Sequence, residues 1–277
     1  MIDSGLGGLT VVRALQALLP QEQILYFADT ARAPYGGRSP EAVIGFARQI
    51  VRHLADFQPK HYLLACNTVT ALALPALRAE FADLSFSGVI EPTARAAVEA
   101  AGGKPMPLFA VLATEATIRS RAYERALARR RNKAMVLLRP AAVLVPMIEE
   151  GRDGSDPLVR LALRQYLQPL LTRKIDVLVL GCTHFQVLRP TIEAIVGQSV
   201  PVVDASERSA EDVARRLRSA GKLKEGGVGS LRCMVSDDPV RFRQLASKLA
   251  GLTVGEPDRV PIDDLPDSRP LHIRAAG

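Results

Sequence analysis

Two cysteines, Cys66 and Cys182, lie in nearly the same local sequence, once in each half of the chain. Cys66 belongs to LLACNTVTALALPAL and Cys182 to LVLGCTHFQVLRPTI. Each segment is an apolar run that leads into a cysteine, polar side chains and a helix-like stretch, which predicts a buried parallel strand ending in a βα loop. Ligands bind at the carboxyl ends of such strands. The repeat therefore predicts two thiols that face one ligand from opposite sides.

A pair of opposed thiols could invert the α-carbon of an amino acid. Removal of the α-proton leaves a planar carbanion, so one face needs a base and the other an acid. Two thiols can exchange these roles, and a thiol at a helix N-terminus or beside a proton acceptor has its thiolate form favoured. The pair thus predicts an amino-acid racemase that uses no cofactor.

Each thiol has a candidate partner for proton exchange. His184 could serve Cys182, and Asp3 could serve Cys66 if the first strand lies beside the third. The glycine-rich turn DSGLGGLT offers backbone N–H groups at a helix N-terminus, which suit a carboxylate. The side chains directly after the two thiols are polar and are expected to point into the cleft: Asn67, Thr68, Thr183 and His184.

Other kinds of catalytic site are disfavoured. The pair Cys182 and His184 is too closely spaced for zinc and has no matching pair elsewhere. The turn GLGGLT departs from the dinucleotide fingerprint, and no lysine directly follows a predicted strand in a ligand-facing loop, which disfavours a Schiff base. Three cysteines argue against a disulfide framework, and Cys233 in LRCMV is predicted to be structural. We expect neither a metal nor a cofactor.

The net charge of +7 raises the question of nucleic-acid binding. Much of the excess lies in RSRAYERALARRRNKA, whose periodicity predicts a helix with an exposed arginine face. A single aromatic residue there is poor provision for stacking bases, so nucleic acid is disfavoured as a partner. The sequence contains no apolar run that could span a bilayer and starts without a signal-peptide pattern, which predicts a cytoplasmic protein.

Strand-like and helix-like segments alternate along the chain, which predicts an α/β fold with parallel sheet. Ser39 followed by Pro40 is a typical helix start. Only Met1 and Ile2 precede the glycine turn, so the first strand is expected to be nearly missing. Strands are predicted at residues 24–27, 62–65, 86–90, 108–113, 134–138, 176–180 and 200–204.

Several longer motifs resemble those of bacterial glutamate racemases, in the aspartate/glutamate racemase superfamily, over nearly the whole chain. The resemblance implies two Rossmann-like parallel-sheet domains with the active site in the cleft between them. The first domain would comprise residues 1–92 and 207–256, the second residues 93–206, and residues 257–277 would form a C-terminal tail. The matching motifs are DSGLGGLTV (3–11), YFADTARAPYGGRS (26–39), ACNTVTALALPALR (65–78), GVIEPTARAAV (88–98), ATEATIRSRAY (113–123), VPMIEEG (145–151) and GCTHF (181–185).

The resemblance also implies roles for individual residues. Cys66 would act on D-glutamate and Cys182 on L-glutamate, with Asp3 and His184 assisting them and Glu149 close by. The product, D-glutamate, would supply peptidoglycan synthesis, and the resemblance allows a homodimer. The expected substrate contacts are Ser4, Pro34, Tyr35, Gly36, Asn67, Thr68, Thr114, Thr117 and Thr183.

Some positions depart from the family pattern and leave other functions open. Thr93, Ala113 and Ala116 stand where glycine is usual, and Gln186 replaces a common proline. Extra methyl groups could narrow the pocket, so a racemase for aspartate or another acidic amino acid is one alternative. A second is a cysteine hydrolase with a single thiol activated by His184. A third is a binding protein without catalytic activity.

Overall fold

Two parallel β-sheets flanked by helices make up the computed structural model, which describes residues 1–266. Within these residues the first sheet has the strand order β10-β9-β2-β1-β3-β4 and the second β6-β5-β7-β8. The predicted α/β fold with parallel sheets is confirmed. The strands are β1 (Ile2–Asp3), β2 (Gln23–Ala28), β3 (Tyr62–Leu64), β4 (Phe86–Gly88), β5 (Leu108–Ala113), β6 (Met135–Pro140), β7 (Val177–Gly181), β8 (Val202–Val203), β9 (Ser230–Val235) and β10 (Asp258–Arg259).

The helices cover both faces of the sheets, and the helix predicted to start at Ser39 and Pro40 is present. The α2 helix starts after Ser39, whose side chain accepts a hydrogen bond from the Ala42 N–H at 3.2 Å. The helices are α1 (Leu9–Leu18), α2 (Pro40–Ala55), α3 (Asn67–Glu80), α4 (Ile90–Ala100), α5 (Glu115–Arg119), α6 (Ala122–Arg130), α7 (Leu144–Glu149), α8 (Pro157–Leu171), α9 (Arg189–Val196), α10 (Ser206–Ser219) and α11 (Pro239–Ala250), with 3₁₀ turns at Tyr35–Gly37, Thr183–Leu188 and Ile262–Asp264.

The short first strand, β1, occupies the centre of the first sheet. Ile2 is fully buried and pairs with Phe27 of β2 on one side and Leu64 of β3 on the other. The Ala65 N–H donates to the Ile2 carbonyl at 2.8 Å. The first strand thus lies beside the third, which is the condition for Asp3 to lie near Cys66, and two residues are enough to place Asp3 at the carboxyl end of the sheet.

The chain crosses from one sheet to the other through α4 and returns through α10. Ile90 and Ala94 of α4 share an apolar core with Phe109 of β5 in the second sheet. Val213 of α10 packs instead in a core with Val11 of α1, which covers the first sheet. Each cysteine of the repeated segment consequently ends a strand in a different sheet.

The segment from residue 257 to 266 is part of the first sheet, which differs from the predicted tail. Asp258 and Arg259 pair in parallel with Met234 and Val235 of β9, and Leu265 is buried in the core of that sheet. The prediction was wrong here because a two-residue, exposed edge strand between prolines carries no periodic signal. The rest of the predicted tail lies outside the described residues.

The arginine-rich stretch forms α6, and its charges are largely engaged in ion pairs at the surface. Arg129 and Arg130 both pair with Glu91, and Arg121 pairs with Glu124. These pairs reduce the positive charge that this face offers to a polyanion. Among the described residues, no helix combines the length and the apolar character that crossing a bilayer requires.

Candidate active site

Cys66 and Cys182 line the same cavity, which has a volume of about 210 Å³. Cys66 follows β3 and caps α3, whereas Cys182 follows β7 and begins a 3₁₀ turn. The two thiols are 7% and 5% exposed, so both are largely shielded from solvent. The carboxyl ends of two strands from different sheets thus meet at one small, enclosed space, where a ligand would lie between two thiols.

The Cys66 thiol lies in an environment that disfavours its ionisation. Burial raises its pKa to about 11, and the charge of Asp3 adds to this rise. The Val69 N–H of the α3 N-terminus and the Ser4 hydroxyl, 3.6 Å from the sulfur, act in the opposite direction. Burial outweighs the helix N-terminus here, so Cys66 is held as a thiol able to donate a proton.

Cys182 is the first member of a chain of three polar groups. Its sulfur lies 3.9 Å from Nδ1 of His184, and Nε2 of His184 lies 2.5 Å from Oε1 of Glu149. Burial would lower the pKa of His184, but hydrogen bonds to Cys182 and Glu149 outweigh it and raise the pKa well above its ordinary value. A protonated His184 therefore faces the Cys182 sulfur, where it can stabilise a thiolate.

Glu149, rather than the adjacent Glu150, holds the histidine. Burial would raise the pKa of Glu149, yet the hydrogen bond from His184 and the Leu6 N–H lower it overall, so the carboxylate is charged. Glu150 instead pairs with Arg152 on the surface at 3.0 Å. The structure brings the predicted Glu149 to the site and leaves its neighbour outside.

Asp3 is fully buried between the two halves of the site. Its carboxylate accepts the Gly5 N–H at 2.9 Å and lies 3.5 Å from the hydroxyl of Thr183. Burial raises its pKa, although the charge of His184 and two backbone N–H groups oppose that rise. Ser4, and not Asp3, provides the hydrogen-bond contact to the Cys66 sulfur, so Asp3 acts on that thiol through its charge.

The backbone N–H groups of the glycine-rich turn after Asp3 interact with two carboxylate side chains of the protein, those of Asp3 and Glu149. The Gly5 N–H donates to Asp3 at 2.9 Å, and the Gly8 and Leu6 N–H groups act to lower the pKa of Asp3 and Glu149, respectively. Sequence reasoning expected these donors to suit a ligand carboxylate. The turn instead orients two acidic side chains of the site.

Glycine is required in this turn because the second half of the site packs directly against it. A Cβ atom at Gly7 would lie 2.3 Å from Oγ1 of Thr183 and 2.6 Å from Nδ1 of His184. A Cβ atom at Gly5 would lie 2.7 Å from Oε1 of Glu149. Backbone of the first domain and side chains of the second are thus in contact with no room for a further methyl group.

Three threonines form a hydroxyl cluster across the cleft. Oγ1 of Thr68, on α3, lies 2.9 Å from Oγ1 of Thr114 and 3.3 Å from Oγ1 of Thr117. Thr114 also caps α5 by accepting the Thr117 N–H. The α3 helix follows β3 of the first sheet, and α5 follows β5 of the second sheet. The hydroxyl cluster therefore joins the two walls of the cavity.

The predicted site residues fall into two groups. Ten of them line the cavity, and four lie buried or half-buried behind its wall and contact those that line it. The lining residues are Ser4, Pro34, Tyr35, Gly36, Cys66, Asn67, Thr68, Thr114, Cys182 and His184, and the supporting residues are Asp3, Thr117, Glu149 and Thr183.

Sequence reasoning missed several residues that shape the cavity. Asp29 is fully buried and accepts hydrogen bonds from Arg32, Ser236 and the hydroxyl of Tyr35, so it holds the loop that carries Tyr35. Its position directly after β2, at the same end of the sheet as Asp3, which ends β1, was a usable signal. Four further lining residues carry little chemical signal of their own: Gly37, Glu115, Ala142 and Val145.

Residues 9–212 match the protein family described as Asp/Glu/Hydantoin racemase. The chain belongs to this family, and the expected class of enzyme, an amino-acid racemase, is confirmed.

Individual relatives extend the match over nearly the whole chain. The glutamate racemase of Neisseria meningitidis is 39% identical over 261 residues, which cover 94% of this chain and 95% of the relative. A glutamate racemase structure from Bacillus anthracis has a TM-score of 0.88 at 33% identity and covers 94% and 96% of the two chains. One from Francisella tularensis, in complex with D-glutamate, has a TM-score of 0.86 at 30% identity and covers 95% and 97%.

Proposed function

We propose that this chain interconverts L- and D-glutamate without a cofactor, with Cys66 and Cys182 as the two acid–base groups. The observation that carries the proposal is the single cavity lined by both thiols, one from each sheet. Each thiol has its own polar partners, which is the arrangement that proton transfer on two faces of one carbon requires.

In the direction from L- to D-glutamate, the Cys182 thiolate takes the α-proton. The C–H bond breaks, an S–H bond forms, and the electron pair left on the α-carbon is delocalised into the adjacent carboxylate. The S–H bond of Cys66 then breaks as its proton adds to the opposite face. The high pKa of Cys66 and the protonated His184 beside Cys182 both favour this starting state. The reverse reaction starts from the opposite protonation state of the two thiols.

The remaining predicted residues provide recognition of the substrate. The side chains of Ser4, Asn67, Thr68 and Thr114 supply hydrogen-bond donors to two carboxylates, while Pro34, Tyr35 and Gly36 shape one wall. Thr117 and Thr183 act from behind by holding Thr114 and Asp3 in place. Asp3 raises the pKa of Cys66 through its charge, and Glu149 holds His184 beside Cys182. A cavity of about 210 Å³ suits a small dicarboxylic amino acid better than a larger ligand.

Glutamate is proposed over aspartate because the relatives at 38–40% identity are glutamate racemases and a similar structure contains D-glutamate. Following the optical rotation of both enantiomers of glutamate and aspartate separates these substrates. By analogy with the family, the product would supply D-glutamate for peptidoglycan. That role would place the enzyme in the cytoplasm, and a homodimer stays a prediction.

The mechanism is tested with Cys66→Ser and Cys182→Ser, because removing either acid–base group should lower the rate of racemisation at least about 10²-fold. In deuterium oxide, Cys66→Ser should still exchange the α-proton of L-glutamate without inversion, and Cys182→Ser that of D-glutamate. Nuclear magnetic resonance and chiral chromatography measure exchange and inversion separately.

Cys233→Ser is the matched control, since Cys233 is a buried thiol in β9 that does not line the cavity. It should racemise glutamate at close to the wild-type rate. A hydrolase with one nucleophilic thiol would instead retain turnover in Cys66→Ser and lose it in Cys182→Ser. That outcome, or the absence of exchange in a folded wild-type sample, would contradict the two-thiol proposal.

A further inference from the structure

Asn67 presents an unusual feature within the cavity, a buried amide group with only one side engaged. Its Oδ1 accepts a hydrogen bond from the hydroxyl of Tyr123 at 2.7 Å. Its Nδ2 is buried and has no hydrogen-bond partner among residues 1–266. Asn67 is 1% exposed and lines the cavity beside Cys66. A buried donor without a partner is costly unless a ligand satisfies it.

The orientation of this amide decides what the cavity can bind at that point. With Oδ1 engaged by Tyr123, the part of the amide left for a ligand is the NH₂ group, which donates and cannot accept. A carboxylate oxygen would be stabilised there, whereas an ammonium group would not. The opposite orientation would present a carbonyl oxygen and repel the carboxylate.

Tyr123 is well placed to fix this orientation. It lies on α6 and is 2% exposed, and burial raises its pKa, so the phenol remains a donor. Its ring packs against the end of β7, since a Cβ atom at Gly181 would lie 2.9 Å from its Cε2 atom. The residue after Gly181 is Cys182. One side chain therefore contacts the neighbours of both thiols and links the two sheets across the cleft.

We infer that Tyr123 is a positioning residue that holds the Asn67 amide with its NH₂ group toward the cavity, where it binds a carboxylate of the substrate. The inference rests on the proposed function, because it assumes an amino acid with carboxylate groups in this cavity. In this role, Tyr123 does not contact the reacting atoms.

The first test is Tyr123→Phe, which keeps the ring and removes the hydroxyl. Without the Tyr123 hydroxyl, the Asn67 amide is no longer held in place, so its hydrogen bond to the substrate carboxylate should weaken. KM for both enantiomers of glutamate should therefore rise about tenfold. The kcat should stay within about twofold of the wild type, because neither thiol is altered. Calorimetric titration with glutamate should show a matching increase in Kd.

Tyr62→Phe is the matched control, since Tyr62 is also a buried tyrosine but lies outside the cavity, and its hydroxyl donates a long hydrogen bond of 3.5 Å to the Val51 carbonyl. It should leave KM unchanged. If Tyr123 had only a structural role, Tyr123→Phe would lower kcat and the melting temperature without raising KM, and this would overturn the inference.

A double-variant comparison with Asn67→Ala adds a second readout. If Tyr123 acts through the Asn67 amide, adding Tyr123→Phe to Asn67→Ala should change KM no further. Additive effects of the two changes would overturn the inference. An active wild type with an unchanged KM in Tyr123→Phe would overturn this inference alone, whereas a wild type that neither racemises nor binds glutamate would overturn the proposed function as well.

Discussion

At the scale of single residues, the two thiols are chemically alike but their surroundings differ. Burial and the charge of Asp3 hold Cys66 as a thiol, while Cys182 faces a protonated His184 held by Glu149. A racemase needs one acid and one base at the start of each turnover. In the proposed mechanism, this difference in surroundings would let Cys66 start as the acid and Cys182 as the base.

The link between His184 and Glu149 yields a prediction about activity. In Glu149→Gln, the histidine loses its carboxylate partner, so its pKa should fall and its ability to stabilise a thiolate at Cys182 should weaken. We expect kcat to fall about 10²-fold. Steady-state kinetics measure this change. Glu150→Gln, at an exposed neighbour that pairs with Arg152, should have close to wild-type activity; an equal loss in both variants would contradict the assigned role.

The same pair makes folding stability depend on pH in a defined window. Glu149 has its pKa lowered from 4.5, so its contribution is present above that pH and is lost as the pH falls through the folded pKa. His184 has its pKa raised from 6.5, so its contribution is present below that pH and is lost as the pH rises through the folded pKa. Between pH 4.5 and 6.5, both groups make their full contribution to the free energy of unfolding.

Wild type and Glu149→Gln should therefore differ most in their free energy of unfolding within that window, by about 2 kcal/mol. The difference should shrink at more acidic and more alkaline pH. Denaturant unfolding at a series of pH values measures it, and a difference that is independent of pH would contradict the ion pair.

At the scale of elements, the glycine turn between β1 and α1 packs directly against the second half of the site. Its backbone N–H groups hold Asp3 and Glu149, and its Cα atoms approach Thr183 and His184. The absence of side chains at the glycines of the turn therefore allows the two halves of the site to approach this closely.

Gly7→Ala should disturb this contact, because the new methyl group would lie 2.3 Å from Oγ1 of Thr183. We expect the free energy of unfolding to fall by about 1–3 kcal/mol and racemisation to fall with it. Thermal unfolding and steady-state kinetics provide the measurements. Gly45→Ala, inside α2 with no atom within 4 Å of the new Cβ, should instead be stabilised by about 0.5–1 kcal/mol. A Gly7→Ala variant as stable and active as the wild type would exclude the tight packing described above.

At the scale of the whole molecule, the cavity is assembled from two sheets of one chain. Thr183 and Asp3, which are 180 residues apart in sequence, are 3.5 Å apart in space. Both thiols that line the cavity come from the same chain, so the proposed mechanism requires no thiol from a second copy.

A mixture of Cys66→Ser and Cys182→Ser should accordingly show no more activity than the two variants measured separately. Co-expression followed by rate measurement tests this, with wild type mixed with either variant as the control. Recovery of racemisation in the mixture would show that thiols from two chains meet in one site.

The amino-acid sequence was enough to predict the alternation of strands and helices, the position of Cys66 and Cys182 at the ends of strands, and the family. These properties depend on local periodicity and on residue types, which a linear sequence contains. It also placed Glu149 near the site, although only the structure separates that residue from Glu150 by showing which carboxylate reaches His184.

The contacts between side chains could be established only from the folded structure. It put Ser4 rather than Asp3 against the Cys66 sulfur, turned the glycine N–H groups toward the protein's own carboxylates, and joined Tyr123 to Asn67. It also gave the segment after residue 257 a place in the first sheet. Such contacts depend on how two separately formed sheets face each other, and that arrangement follows from packing between residues far apart in the chain, which leaves no periodic pattern to read.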